Sequence, residues 1–248
     1  MIRIVLRKLK NKVKLYYSVN WLKTIYFNFK MFPLGVAKKL PVVIYGPIKI
    51  TDLSGDVIIE APIKTGMIGI GQSYEKNKAN CGLTEINVKG KLVFKDYCQL
   101  GKDVFLFVGA KATCKFGDMS SVASKGKIIC TNRIELGDYA RLGSECQIID
   151  TNFHEMIDLE TGENIPMTQP IEIGDFNFIS NRVTIMKGTK TSTNTSIASN
   201  TLCTKDYTNL GSNVLLGGIP AKLLKRNIRR NWEGEQQRMD KNLKIKNF

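Results

Sequence analysis

The sequence predicts an all-β fold, a parallel β-helix wound from six-residue units, and three observations carry that expectation. From Ile86 onward every sixth residue is apolar: Ile86, Leu92, Cys98, Val104, Ala110, Phe116, Val122, Ile128, Ile134, Ala140 and Cys146. A companion row lies two residues on, at Val88, Phe94, Leu100, Leu106, Ala112, Cys130, Leu136, Leu142 and Ile148, broken at Asp118 and Ser124. The phase lapses after Ile148 and returns at Ile173 with Ile179, Ile185, Ile197 and Cys203, Thr191 filling one step. Asn177, Val183, Thr189, Thr195 and Thr201 form the companion row of this last stretch.

A period of six suits neither an α-helix nor a long strand. Residues two apart on a strand share one side. A short strand with two inward side chains, then a corner, repeated, gives a wound sheet. Three such faces close one coil of a triangular prism, and stacked coils bury aliphatic columns inside it. The competing reading, a sandwich of short strands, asks for turn signals about every 8–12 residues. The period does not set the hand of the coil, and general crossover rules favour right-handed connections.

Three regions follow. Residues 1–41 interleave basic residues with Tyr16, Tyr17, Trp21, Tyr26, Phe27, Phe29 and Phe32, and Pro33 is a stop signal for a helix ending near Phe32. An amphipathic basic helix has two readings: a cap over the open first coil, whose strand edge needs cover, or an anchor on a membrane surface. Residues 42–225 are the β-helix, with a loop at about 149–172. Within them, KTGMIGIGQSYEKNKANCGLTE (64–85) reads as an irregular coil with a surface loop. Its glycines at 66, 69 and 71 lack the spacing and the βαβ setting of a dinucleotide loop. Residues 226–248 read as a short basic helix or tail.

Composition narrows the chemistry. The 248 residues carry a net charge of +15, and residues 1–51 contain eleven Lys and Arg but no Asp or Glu. Such ends suit phosphates, of nucleic acid or of a lipid surface. No run of eighteen apolar residues is present. The opening MIRIVLRKLKNKVKLYY scatters bases among apolar residues, unlike a secretory signal, so a cytoplasmic location and free, buried thiols are expected for the six cysteines. None of the cysteines forms a CxxC pair, and the single histidine excludes a three-histidine zinc site. No metal is expected.

That histidine, His154, stands in IIDTNFHEM at the start of the phase break. A loop thrown out of a regular prism is a usual carrier of function. Imidazole is also the side chain best suited to move a proton at neutral pH.

The segments IELGDYARLGSE, PIEIGDFNFISNRVTIMKG, DTNFHEM and SIASNTLCTKDYTNLGSNVLLGGIPAKLLKR resemble those of the hexapeptide-repeat acyltransferases, over roughly residues 42–226. Within that family the chain is most similar to sugar and polysaccharide O-acetyltransferases. The resemblance implies a left-handed parallel β-helix, a homotrimer, acetyl-CoA as donor and a sugar or glycan acceptor, with no nucleic acid partner. It implies that His154 is the general base for direct attack of a hydroxyl on the thioester. Asp150 would orient the imidazole or bind a sugar hydroxyl, and Asn152 would touch the acceptor where relatives often carry Asp. For the donor it implies Asn181 near the thioester, Ser199, Thr204 and Lys205 along the pantetheine arm, and Lys222 and Lys225 at the phosphates. Phe178-Ile179-Ser180 replaces the family's usual Trp-Ile-Gly, and KTSTNTSIASN has fewer glycines than usual, which bears on the donor groove. Two other functions stay open: the same chemistry on a serine, an amino-sugar or an antibiotic, and a non-enzymatic scaffold binding anionic polymers or lipid.

Overall fold

The computed structural model describes residues 16–72 and 82–242. The basic residues up to Lys14, Cys81, the tip of the 64–85 segment and the last six residues lie outside this range.

The chain enters through α1 (Trp21–Met31) and a single turn, α2 (Leu34–Ala37), then winds. The first coil is β1 (Val42–Ile44), β2 (Ile48–Leu53) and β3 (Asp56–Ile59). The second is β4 (Ile68–Gln72), β5 (Thr84–Val88) and β6 (Lys91–Phe94). The third is β7 (Cys98–Gly101), β8 (Phe105–Val108) and β9 (Thr113–Phe116), and the fourth β10 (Ser120–Val122), β11 (Lys127–Cys130) and β12 (Arg133–Leu136). The fifth contains β13 (Arg141–Leu142), β14 (Gln147–Ile149), a hairpin of β15 (Met156–Ile157) with β16 (Asn164–Ile165), and β17 (Ile171–Ile173). Above it lie β18 (Phe178–Ile179) and β19 (Thr184–Met186), then β20 (Thr195–Ile197) and β21 (Leu202–Cys203). The prism closes with β22 (Val214–Gly217) and the antiparallel β23 (Lys222–Arg226), before α3 (Trp232–Asn242).

Each strand of the three faces up to β22 pairs in parallel with its counterpart one coil away. The first face runs β1-β4-β7-β10-β13-β18-β20-β22-β23, the second β2-β5-β8-β11-β14-β19-β21, the third β3-β6-β9-β12-β17. This is the left-handed, three-sided parallel β-helix. The periodic rows are its interior: Ile86, Leu92, Cys98, Val104, Phe116, Val122, Ile128, Ile134, Ala140 and Cys146 are all buried, as is the whole companion row. Ala110 is the exception, exposed at a corner between β8 and β9, with Ala112 filling the interior place. Burial pushes the Cys98 and Cys203 thiols up to about 12. The five described cysteines are free and buried.

Two of the three corners are turned by residues in the left-handed backbone region. Between the first and second faces these are Asp103, Lys125, Glu145, Arg182 and Asn200, and between the third and first Met119, Tyr139, Phe176, Asn194 and Asn213, all near φ +55 to +63. That conformation costs a non-glycine residue roughly 1–2 kcal/mol. It is held by bonds to the preceding coil, such as Glu145 N to Ser124 O at 2.9 Å and Phe176 N to Asp138 O at 2.7 Å. The corners are also gripped by side chains. Asp118 N donates to Asp138 Oδ1 (2.8 Å) and Asp138 N to Asp175 Oδ1 (2.7 Å), so each carboxylate holds the coil before it. This explains the Gly-Asp units, because a Cβ on Gly137 would sit 2.5 Å from Asp175 Oδ1.

The 64–85 segment differs from expectation. Its glycine-rich core is β4, a buried strand of the first face. The glycines reflect close approach of the first coil: a Cβ on Gly71 would lie 2.3 Å from Tyr45 O.

Glu145 is exposed, so its backbone can be tested alone. Glu145→Asn should leave stability unchanged or raised. Glu145→Val, β-branched at positive φ, should cost about 1–2 kcal/mol in urea denaturation.

Candidate active site

The third corner, between the second and third faces, follows another rule. The only residues of positive φ there are Phe153 and Gly188, besides Gly162 within the hairpin. This corner carries the insertion. Ser121 pairs with Arg141 one coil on, but Arg141 pairs with Phe178, because the intervening coil throws out the arm that begins after Ile149 and returns at Ile171.

The arm is braced at its root. Asn152 N donates to Met167 O (3.1 Å), Gln169 N to Asp150 O (3.1 Å), and Thr151 and Thr168 bridge. Thr151 Oγ1 accepts from Phe153 N (2.9 Å), which sets the turn at Phe153 just before His154. Lys187 from the next coil donates to Pro166 O and Met167 O. His154 itself is exposed. Among the described residues its ring has no hydrogen-bond partner, so it is presented outward from a fixed root.

Asp150 departs from the expected role. It is fully buried, its Oδ1 accepts from Thr131 N (2.8 Å) and Thr131 Oγ1 (2.9 Å), and its Oδ2 accepts from Asn132 N (2.8 Å). It is the same coil-to-coil grip that Asp138 and Asp175 make at another corner, and it does not orient the imidazole. Asn152 is likewise turned inward: with its amide nitrogen facing the arm, it donates to His154 O (2.8 Å) and Met167 O (3.0 Å). It shapes the loop around the histidine.

The residues expected to hold a donor divide between two corners. Asn181 and Ser199 stand between the first and second faces. Asn181 Oδ1 accepts from Ser144 N (3.0 Å), again the grip on the coil below. Ser199 Oγ and Ser180 Oγ share a hydrogen bond of 2.7 Å, so Ser180 ties two coils together. Thr204 and Lys205 follow β21 at the same corner as His154, both exposed, with Thr204 N donating to Tyr207 Oη (3.4 Å) and Lys205 Nζ 5.9 Å from the Tyr207 ring. In one chain these two sets flank the second face and do not meet. Lys222 and Lys225 lie exposed on β23, the edge strand of the first face.

The six-residue period and the three stacked faces decide the fold. The chain is a three-sided parallel β-helix of six-residue repeats. Over 91 residues, 37% of this chain and 39% of the relative, the hexapeptide-repeat chain is 33% identical to the polysialic acid O-acetyltransferase of Neisseria meningitidis. It therefore spans about two-fifths of the length of the curated relative it matches. Among solved structures it is similar to the polySia-specific acetyltransferase NeuO (TM-score 0.47, 15% identity, 80% of this chain and 93% of that one). It is also similar to a hexapeptide-repeat acetyltransferase of Vibrio cholerae O1 biovar eltor complexed with acetyl coenzyme A (TM-score 0.39, 22% identity, 46% and 60%). No protein-family model matches the chain.

Two features of this hexapeptide-repeat chain had no signal in the sequence. Lys187 braces the arm from a coil further on. A cleft of about 410 Å³ on the first face is lined by Ser121, Arg141, Gly143, Phe178 and Asn181, with Arg230 of the returning C-terminal segment on one side. That return is pinned by Trp232, whose Nε1 donates to Phe176 O (3.1 Å) and whose ring meets Tyr139 and Phe176 edge-on. Arg230 stacks between Trp232 (4.4 Å) and Phe178 (4.9 Å).

Because Asp150 holds two main-chain N–H groups, Asp150→Ala should cost about 2–3 kcal/mol of stability and open the arm to proteolysis. His154→Ala should leave the melting temperature unchanged. Denaturation and limited proteolysis of both variants check the division of roles.

Proposed function

We propose that this protein is an acetyl-CoA-dependent O-acetyltransferase acting on a hydroxyl of a sugar polymer such as polysialic acid. The observation that carries the reading is the chain's one histidine, exposed on a braced arm that leaves the six-residue prism after Ile149. The similarity to a polysialic acid O-acetyltransferase supports the acceptor class.

Acetyl-CoA, when bound, supplies the acetyl group as a thioester. His154 takes the proton of the acceptor hydroxyl as its oxygen forms the new bond to the acyl carbon. The carbon–sulfur bond breaks, and the imidazolium returns the proton to the departing thiolate. Imidazole is neutral and basic enough for both transfers near pH 7. Attack is direct, with no acyl-enzyme. Thr204 and Lys205 lie on the histidine's corner, where exposed polar groups suit the pantetheine arm. Exposed Lys222 and Lys225 suit the phosphates.

The protein works as a homotrimer in this reading. The arm exposes Met156, Ile157, Leu159, Ile165 and Met167, which one chain leaves uncovered. A neighbouring copy placed against the second face would cover them and bring its own donor residues to the histidine. The location is cytoplasmic in the same reading. Among the described residues no helix is long and apolar enough to cross a membrane.

With acetyl-CoA and a sialic acid polymer, His154→Ala should lower turnover by about 10²–10⁴-fold with donor affinity retained, as measured by thiol release and calorimetry. Lys222→Ala/Lys225→Ala should weaken donor binding without changing the fold. Full activity of the histidine variant would overturn the base. Acetylation of an amino-sugar or serine but not of any glycan hydroxyl would overturn the acceptor.

A further inference from the structure

The first coil exposes the free edge of β1, and α1 covers it with side chains that act as a strand. Asn28 Nδ2 donates to Val42 O (2.6 Å), Val42 N donates to Asn28 Oδ1 (3.2 Å), and Ile44 N donates to Thr24 Oγ1 (3.0 Å). Thr24, Phe27 and Asn28 form this buried side of the helix. The opposite side points away from the end of the prism. A helix that only caps would be polar there.

It is not. Leu22 is 83% exposed, Ile25 47%, Tyr26 52% and Phe29 49%. Their spacing of three, four and seven places them on one stripe. Leu34, 59% exposed, extends the patch onto α2. Exposed Lys23 and Lys30 line one shoulder of α1, and exposed Lys38 and Lys39 follow α2. The polypeptide has no carboxylate side chain before Asp52.

We propose that this face docks the protein on an anionic lipid bilayer, with the apolar stripe in the interface and the lysines against the headgroups. The charge argues for lipid over a second copy of the chain. A symmetric pairing of two such faces would bring the lysines of both copies into one interface, with no carboxylate in the first 51 residues to offset them. An anionic headgroup layer supplies the missing charge, and each lysine near it adds to binding. Apolar burial together with a basic rim is the pairing of signals that peripheral attachment requires. Since β1 lies four coil steps from β13, at about 4.8 Å each, and α1 adds about 10 Å between β1 and the lipid, the histidine arm would stand roughly 30 Å above the surface. The inference does not depend on acyl transfer.

The test is co-sedimentation of the full chain with vesicles of phosphatidylcholine plus phosphatidylglycerol, beside vesicles of phosphatidylcholine alone. Binding to the anionic vesicles, weakened by salt, is expected. Lys23→Gln/Lys30→Gln should lower the partition coefficient on the order of tenfold. Leu22→Glu/Phe29→Glu should abolish binding while the melting temperature and sedimentation coefficient in free solution stay unchanged. Failure of the wild-type chain to bind anionic vesicles would overturn the proposal, as would undiminished binding by the Leu22/Phe29 variant. A changed sedimentation coefficient in that variant would mark the face as an interface between copies and overturn it equally.

Discussion

Everything in this molecule hangs on the bond between one coil and the next. Strands of two to six residues have too few hydrogen bonds to persist alone, and each coil has no fold without its neighbours. The ladders along the faces supply part of the attachment. The corners supply the rest, where the chain turns within a few residues through left-handed backbone. Main-chain bonds to the preceding coil hold those strained residues. Asp138, Asp150, Asp175 and Asn181 add a side-chain grip of one kind, an oxygen accepting N–H groups from the coil before.

The site is a consequence of that rule and of one exception to it. The corner between the second and third faces lacks the regular column of left-handed residues, and the histidine arm leaves the winding there. Asp150 shows how it is done. Its carboxylate closes the regular coil below while its carbonyl accepts from Gln169 on the returning strand, so the arm leaves and rejoins at one anchored point. His154 can therefore be exposed and still have a fixed origin.

The two ends of the prism solve the same edge problem differently. At the C-terminal end β23 turns back antiparallel on β22, and a Trp232-centred aromatic cluster holds the following segment. At the N-terminal end the main chain meets that edge only through Ser18, Val19 and Asn20 among the described residues, and Thr24 and Asn28 supply the remaining strand-like contacts. That solution uses only one side of α1. The other side is free to be apolar, and it is.

The sequence by itself determined the winding. A six-residue alternation of buried and exposed positions has one economical solution, since two inward residues and a corner must recur in register. The same rhythm marked the interruption after Ile148, while Pro33 marked the end of the helix and composition marked His154 as the one histidine. Tertiary structure decided what the polar residues do. Asp150, Asn152 and Asn181 looked like site residues because they stand near the histidine or on a motif. Their oxygens and amides bond to main chain: Asp150 and Asn181 to the coil below, Asn152 to the arm itself at His154 and Met167. β4 was hidden for the same reason: its glycines answer to the close passage of Tyr45, a neighbour only after folding. A periodic row is written in adjacent residues, whereas a hydrogen-bond partner one coil away depends on where each corner falls. Only the wound chain contains that information.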